Sequence, residues 1–180
     1  MVYLRRFLWY IAKWLLAAAM LLGALIIALY MAMNTANITI LLKDGMALRA
    51  QVIMMEKDRQ DLQKFFQNDF LAVDMALGIG LSENSPYANY TIAGIDHRIK
   101  MEWLWCWPWD NTANADFVET IPKIDGRIKA SLRADAEQNN PASVYPPSWQ
   151  GARYRATLVR EGGRWKIASI KQLELIPRPE

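Results

Sequence analysis

The hydrophobic positions begin with one long run that no charged residue interrupts. The twenty residues 14–33, WLLAAAMLLGALIIALYMAM, contain no acidic or basic side chain. A helix of this length extends about 30 Å, which matches the hydrocarbon core of a bilayer. Trp14 opens the run and Tyr30 lies near its end, where aromatic rings favour the headgroup region. The pattern predicts a transmembrane helix over 14–33.

The basic residues near this run predict its orientation. Arg5 and Arg6 precede the run and Lys13 adjoins its start, whereas the basic residues on the other side lie farther away. Cytoplasmic flanks carry the excess of Lys and Arg, so we expect residues 1–13 to be a cytoplasmic tail and interface. The protein is then a single-pass protein of the cell membrane, with its N-terminus inside and the rest of the chain outside.

A cleaved signal peptide is the alternative to a retained anchor. The apolar region of a signal peptide is about 7–15 residues long and precedes an A-x-A-like cleavage site. This run is longer, and the sequence YMAMNTA that closes it offers no such site. The sequence therefore favours a retained anchor.

The next stretch, residues 34–45, is predicted to be a linker. Within it the apolar Ile38, Ile40 and Leu42 occupy alternate positions. This spacing fits a short strand, and it fits equally the end of the preceding helix. The sequence leaves the two possibilities open.

An amphipathic pattern then opens the domain that we expect to cover residues 46–180. Asp44 is a candidate N-cap, and Gly78 and Gly80 are stop signals. Thirty residues is long for one globular helix, so a break near EKDRQD or QND is expected. The apolar stripe at spacings of three, four or seven consists of Leu48, Val52, Met55, Leu62, Phe66, Phe70, Val73 and Leu77.

From Ile95 the hydrophobic period changes from helical spacing to two. Apolar residues and His97 occupy the odd positions, which end in four tryptophans, and the even positions are polar until Leu104. This pattern predicts a strand over 95–109. A strand of this length requires strong twist or a bulge, and Pro108 either ends it or places it on a sheet edge.

The tryptophans are predicted to divide into two pairs. Trp103 and Trp105 continue the apolar face, so we expect them in the core against the bulky stripe of the long helix. Trp107 and Trp109 flank Pro108 and are expected to remain partly exposed. They form, with Pro108, a candidate contact for a protein partner or for the membrane interface.

Two hairpins are predicted in the second half of the domain. Asp125-Gly126 suits a tight turn between antiparallel strands, although a helix through Ile124, Ile128 and Leu132 fits nearly as well. Gly162-Gly163 marks the turn of the final hairpin. The predicted fold class is α+β: a transmembrane helix, then a long helix packed on a curved antiparallel sheet.

Composition and motifs narrow the functional classes. The net charge of +3 equals the three basic residues of the tail, so the external domain is neutral and no nucleic-acid partner is expected. The single histidine, the single Cys106 and the lack of a G-x-S-x-G motif provide no zinc site or nucleophile elbow. We expect no enzyme, metal or cofactor. His97 is expected to be a hydrogen-bonded core residue, and an enzyme that uses it with a nearby carboxylate is the least favoured function.

The closing sequence ARYRATLVREGGRWKIASIKQLEL contains a Gly-rich turn followed by G-x-W-K-I. It resembles the terminal hairpin of the nuclear-transport-factor-two-like (cystatin-like cone) superfamily. The segment DLQKFFQNDFLAVD is similar to the opening helix of that superfamily, so the resemblance covers residues 46–176. Bitopic proteins with such a domain are similar to the scaffold subunits of type IV secretion and conjugation machines, and to some sporulation channel and peptidoglycan-linked proteins. Enzymatic members carry an Asp/His or Asp/Tyr set in the cone, which maps here no further than His97.

These observations lead to two functional expectations. The first is a non-enzymatic scaffold or assembly subunit of an envelope complex, whose partners are the bilayer, other membrane or envelope proteins and a possible second copy. The second is a binding or sensor module for a small apolar ligand. Its cavity would be lined by His97, Trp103, Trp105 and Phe66.

Overall fold

The computed structural model describes residues 2–55, 57–139 and 141–177. Met1 and residues 178–180, the outermost residues of the predicted tail and domain, lie outside this part of the chain. The fold is α+β, as the sequence predicts. Its helices are α1 (Val2–Met55), α2 (Asn68–Val73), α3 (Met75–Gly80) and α4 (Ala130–Asn139), with 3-10 helices at Arg59–Lys64 and Pro141–Val144. Its strands are β1 (Tyr90–Ile95), β2 (Arg98–Trp105), β3 (Thr112–Thr120), β4 (Ile124–Ile128), β5 (Ala152–Glu161) and β6 (Arg164–Leu175).

The strands form two antiparallel sheets. The larger sheet has the order β2-β3-β5-β6, and the smaller consists of β1 and β4. The C-terminal half of α1 packs against β1, β2 and β6. The core lies between this half of α1 and the larger sheet, with Phe66, Phe117 and Ile167 fully buried.

The predicted transmembrane helix and the first helix of the domain are one helix. α1 is continuous for 54 residues, so residues 34–45, predicted as a linker, are helical: the short strand is wrong, and the alternative that this stretch continues the preceding helix is confirmed. Ile38, Leu42 and Met46 are fully buried at intervals of four residues, and this spacing forms a helical stripe against the sheet. The alternation that suggested a strand arose because exposed Ile40 lies between two stripe residues.

The N-terminal half of α1 contacts little else in the chain. Its most apolar 18-residue window has a mean hydropathy of 2.5 and none of it is buried, so this helix is long and apolar enough to cross a membrane. Arg5 and Arg6 are exposed, Lys13 Nζ lies 3.3 Å from the ring centre of Trp9, and Tyr30 is half exposed.

The long amphipathic helix expected from residue 46 to 77 breaks after Met55. Asp58 caps the 3-10 helix that follows by accepting from Gln60 N at 2.8 Å, and Asp74 caps α3 through Ala76 N at 3.1 Å. The break falls in the region that the sequence indicated. Most of the stripe still reaches the core, but Val73 is 74% exposed.

The hairpin predicted at Asp125-Gly126 does not form. Both residues lie inside β4, which pairs with β1 rather than with β3. A Cβ on Gly126 would meet the Thr91 carbonyl oxygen and the Ile92 side chain at 3.0 Å, so glycine here permits a close approach of two strands rather than a turn. The residues after β4 form α4. The final hairpin is confirmed, with Gly162 and Gly163 at φ of 54° and 80°.

Candidate functional site

A bulge in β2 reverses the faces of the strand and exposes the first two tryptophans. Met101 pairs with Phe117 and Trp103 with Asp116, so Glu102 is an extra residue without a partner in the register. Before the bulge Met101 points towards the core, and after it Leu104 does. A one-residue slip turns every following side chain to the other face.

The predicted core position of Trp103 and Trp105 is therefore wrong. Trp103 is 53% exposed and Trp105 47% exposed, on the outer face of the sheet. Cys106 takes the inner position and is buried. Burial raises the pKa of the Cys106 thiol, and the nearby charge of Asp110 adds to the effect, so this residue behaves as a small core side chain.

The other two tryptophans lie in a tight turn after β2. Asp110 N donates to Trp107 O at 3.2 Å, and Trp107 N donates to Asp110 Oδ2 at 3.3 Å. Pro108 occupies the second position of this turn, where its fixed φ is favourable. Trp107 is 40% and Trp109 65% exposed, which confirms that they remain partly exposed. β2 ends before Pro108 and lies at the edge of its sheet, as expected.

Ring contacts join Trp105, Trp107 and Trp109, and Trp103 is exposed two positions before Trp105 on the outer face of β2. We call these four residues the tryptophan patch (Trp103, Trp105, Trp107 and Trp109). The rings of Trp105 and Trp107 meet edge to face with centroids 5.3 Å apart. Those of Trp107 and Trp109 stack at 5.2 Å with an angle of 11° between planes. Side chains whose rings already pack against one another lose little conformational entropy when a partner binds over them. Exposed apolar patches of this kind are a common feature of interaction sites in proteins, so this patch is the candidate site.

Arg160 ties this patch to α1. The backbone N–H of Arg160 donates to the Asn111 carbonyl at 2.9 Å, just after the Trp107–Asp110 turn. Its Nη2 donates to Asn34 Oδ1 at 3.0 Å, and its guanidinium lies 4.6 Å from the ring centre of Trp165. Asn34 is 5% exposed and directly follows the uncharged run. The patch therefore lies at the end of the sheet where α1 leaves the domain.

A second group of polar side chains is buried at the opposite end of the core. His97 Nε2 lies 2.9 Å from Glu119 Oε1, and the two side chains are 7% and 0% exposed. Arg49 and Asp74 form a two-point ion pair nearby. Burial raises the pKa of Tyr154 to about 12, and the negative charge of Glu119 adds to the effect. His97 is thus a hydrogen-bonded core residue, as predicted.

Sequence reasoning missed the acidic and cationic members of this buried cluster. Neither Arg49 nor Glu119 belongs to a motif that marks it as a buried residue in the sequence. One signal was available for Glu119, because Ala113, Ala115 and Phe117 precede it at every second position and are all buried. A His–carboxylate pair is able to move protons, but these two side chains are closed to solvent.

The four residues proposed to line a ligand cavity are not brought together. Phe66 is fully buried and stacks on Phe70 at 5.5 Å, whereas Trp103 and Trp105 lie on the outer face of the sheet. His97 contacts Glu119 instead. Among the described residues no group of three His, Cys, Asp or Glu side chains is placed to hold a metal ion.

Comparisons with protein-family models, with curated proteins and with solved structures return no match. The superfamily resemblance of the final hairpin therefore stays a prediction.

Proposed function

We propose that this protein is a single-pass, membrane-anchored and non-enzymatic scaffold or assembly subunit of an envelope complex. Residues 14–33 of α1 cross the cell membrane with the N-terminus inside, and the α+β domain outside docks other envelope proteins. The observation that carries the proposal is the tryptophan patch. Its side chains are exposed, three of its rings already contact one another, and it lies on a domain whose first helix continues into the apolar run.

The composition of α1 supports the anchor. Its N-terminal half exposes large apolar side chains on every side, among them Leu15, Leu22 and Ile26, which are all more than half exposed. A helix that is hydrophobic all round belongs in a protein core or a membrane, and the domain supplies no core for this half. The basic residues of this N-terminal half, Arg5, Arg6 and Lys13, all lie before the apolar run, which supports the proposed orientation.

The surroundings of the patch support docking. Exposed tryptophans are frequent among the residues that dominate binding energy. Polar pairs border the patch on the same sheet face: Arg155 with Asp116 at 2.6 Å, and Thr157 with Asn114 at 3.0 Å. An aromatic centre within a polar rim is the usual arrangement of a protein interface. A partner there also has access to the edge of β2, which ends the larger sheet.

The closed state of the buried cluster supports a non-enzymatic role. Its members act on one another rather than on solvent, since Arg49, Asp74, His97 and Glu119 all have side chains less than one-tenth exposed. The cluster joins α1, α3 and β3, so its evident contribution is to hold these elements together.

The test is to tag the full-length chain after Glu180, extract native membranes gently and identify the proteins that co-purify at fixed stoichiometry. We expect recurrent envelope proteins, and we expect Trp103→Ala/Trp105→Ala to release them while the circular dichroism spectrum is unchanged. Tyr145→Ala is the matched control, because Tyr145 is a 60% exposed aromatic residue outside the patch. A chain that emerges alone, or partners that the patch variant retains, would contradict the docking proposal.

A further inference from the structure

The tryptophan patch has two parts that differ in their relation to α1. Trp103 and Trp105 stand on the outer face of β2, whereas Trp107 and Trp109 lie in the turn beyond it. The turn is joined to Asn34 through Asn111 and Arg160. The two parts therefore face different surroundings when α1 stands in a bilayer.

A hydrogen bond and a longer-range charge interaction locate the larger sheet along α1. Asn34 accepts from Arg160, whose backbone N–H is bonded to Asn111. Farther along α1, Arg49 lies within range of the charge of Glu119, near the other end of β3. From Asn34 to Arg49 a helix advances about 22 Å, and from Asn111 to Glu119 a strand advances about 26 Å. The tryptophan turn therefore lies at the end of β3 that is joined to Asn34, away from Arg49.

The position of Asn34 sets the level of the membrane surface. The uncharged run ends at Met33, so Asn34 lies at the boundary of the hydrocarbon core if residues 14–33 cross it. The headgroup layer beyond this boundary is about 5–7 Å thick on each side. Side chains at the level of Asn34 therefore meet lipid headgroups, where tryptophan rings are most favourable.

We propose that Trp107 and Trp109 insert into the headgroup layer of the same bilayer that α1 crosses, so that the domain rests on the membrane surface. This inference rests on the proposed anchor. It also reduces the surface available to protein partners to Trp103 and Trp105, because Trp107 and Trp109 contact lipid. The charge at this end of the sheet is positive on balance, which suits lipid phosphate. The cations are Arg160, Arg164 and Lys166, and the anions are Asp110 and Glu161.

The stacked geometry of the turn fits the same occupant. The rings of Trp107 and Trp109 are nearly parallel, with 11° between their planes, and Pro108 fixes the backbone between them. A rigid, exposed aromatic pair buries apolar ring area while its indole N–H groups remain near polar lipid atoms. One contact of this kind beside a transmembrane helix limits the tilt of the domain.

The test uses tryptophan fluorescence of the full-length chain in nanodiscs that hold one chain each, with phosphatidylcholine brominated on the acyl chains near the headgroup. Trp9→Phe/Trp14→Phe removes the two tryptophans of the anchor region and leaves six of the eight. We expect bromolipid to reduce the emission of this parent by roughly a third, since two of six tryptophans lie in the interface.

Two further variants in this parent locate the quenched residues. Adding Trp107→Phe/Trp109→Phe is expected to abolish most of the reduction. Adding Trp149→Phe is the control and leaves it, because Trp149 adjoins Gln150 and Gly151 at the Glu119 end of the sheet. Bromines placed at the far end of the acyl chains are expected to quench the parent less than bromines near the headgroup.

The outcomes separate the two proposals. If the unsubstituted chain is quenched through Trp9 and Trp14 but the parent is not, the anchor stands and the insertion of Trp107 and Trp109 is overturned. If neither is quenched, the anchor and the insertion are both overturned. Quenching of the parent that appears only when several chains share a disc overturns the insertion in favour of a second copy.

Discussion

Arg49 donates from Nε and Nη2 to the two carboxylate oxygens of Asp74, at 2.6 and 2.8 Å, and so joins α1 to the start of α3. The same carboxylate accepts from Ala76 N at 3.1 Å and caps that helix. Burial acts to lower the pKa of Arg49, but the hydrogen bonds and charge of Asp74 outweigh it and raise this pKa. Arg49 therefore keeps its positive charge inside the fold.

Arg49→Met is expected to lower the free energy of unfolding by about 3–5 kcal/mol, because it leaves the Asp74 carboxylate buried without its cation. Arg49→Met/Asp74→Asn is expected to recover part of this loss, since asparagine keeps the cap but carries no charge. Urea unfolding of the detergent-solubilised chain, followed by circular dichroism, measures both. Equal losses in the single and the double variant would contradict this account.

Tyr154 makes stability depend on alkaline pH. Burial, reinforced by the charge of Glu119, raises its pKa to about 12 in the folded state, against about 10 in the unfolded chain. The unfolded state therefore releases the proton first, so this contribution to stability is complete below pH 10 and is lost between pH 10 and 12. Tyr154→Phe is expected to flatten the decline in unfolding midpoint between pH 9.5 and 11.5. Parallel declines in the two proteins would exclude this assignment.

The continuity of α1 into the core predicts opposite results for two isoleucines. Ile38 is fully buried and Ile40 is 57% exposed, two positions apart in one helix. Ile38→Ala is expected to cost about 2–5 kcal/mol of unfolding free energy, whereas Ile40→Ala is expected to change it by less than about 1 kcal/mol. The same denaturant titration compares them. Similar small effects at both positions would mean that 34–45 is a linker after all.

The same substitution, glycine to alanine, is expected to have opposite effects on stability in the turn of the final hairpin and in α3. Gly163 has φ of 80°, so Gly163→Ala is expected to destabilise the domain by about 1 kcal/mol. Gly78 lies within α3, and a Cβ added there would meet no other atom within 4 Å. Gly78→Ala is therefore expected to stabilise the domain by about 0.5–1 kcal/mol, because alanine favours the helix more than glycine does. Thermal unfolding of the two variants beside the unsubstituted chain tests the pair, and a shift in the same direction for both would refute it.

The sequence predicted the elements whose signal is local. The final hairpin was predictable because Gly162 and Gly163 mark its turn without reference to the rest of the chain. The exposure of Trp107 and Trp109 was predictable because Pro108 cannot continue a paired strand. The helical spacing of the apolar residues correctly predicted most of the buried positions, although the helix itself breaks. Leu62, Phe66 and Leu77 are fully buried in the shorter elements that replace it.

The elements that failed depend on partners far along the chain. The bulge at Glu102 is invisible in the pattern because both faces of β2 are apolar beyond it, with Leu104 and Cys106 on one and tryptophans on the other. Asp125-Gly126 carries a turn signal, but pairing with β1 draws it into a strand. The burial of Glu119 was missed because its histidine partner lies 22 positions away.

Because α1 is continuous, the rotation of its apolar N-terminal half about the helix axis is fixed relative to that of its buried C-terminal half. A single residue inserted between Tyr30 and Asn34 would rotate one half relative to the other by about 100° and lengthen the helix by about 1.5 Å. Four inserted residues would nearly restore the phase, at a height greater by about 6 Å. In the proposed anchored arrangement, the number of residues in this part of the helix thus determines which face of the domain is turned towards the membrane.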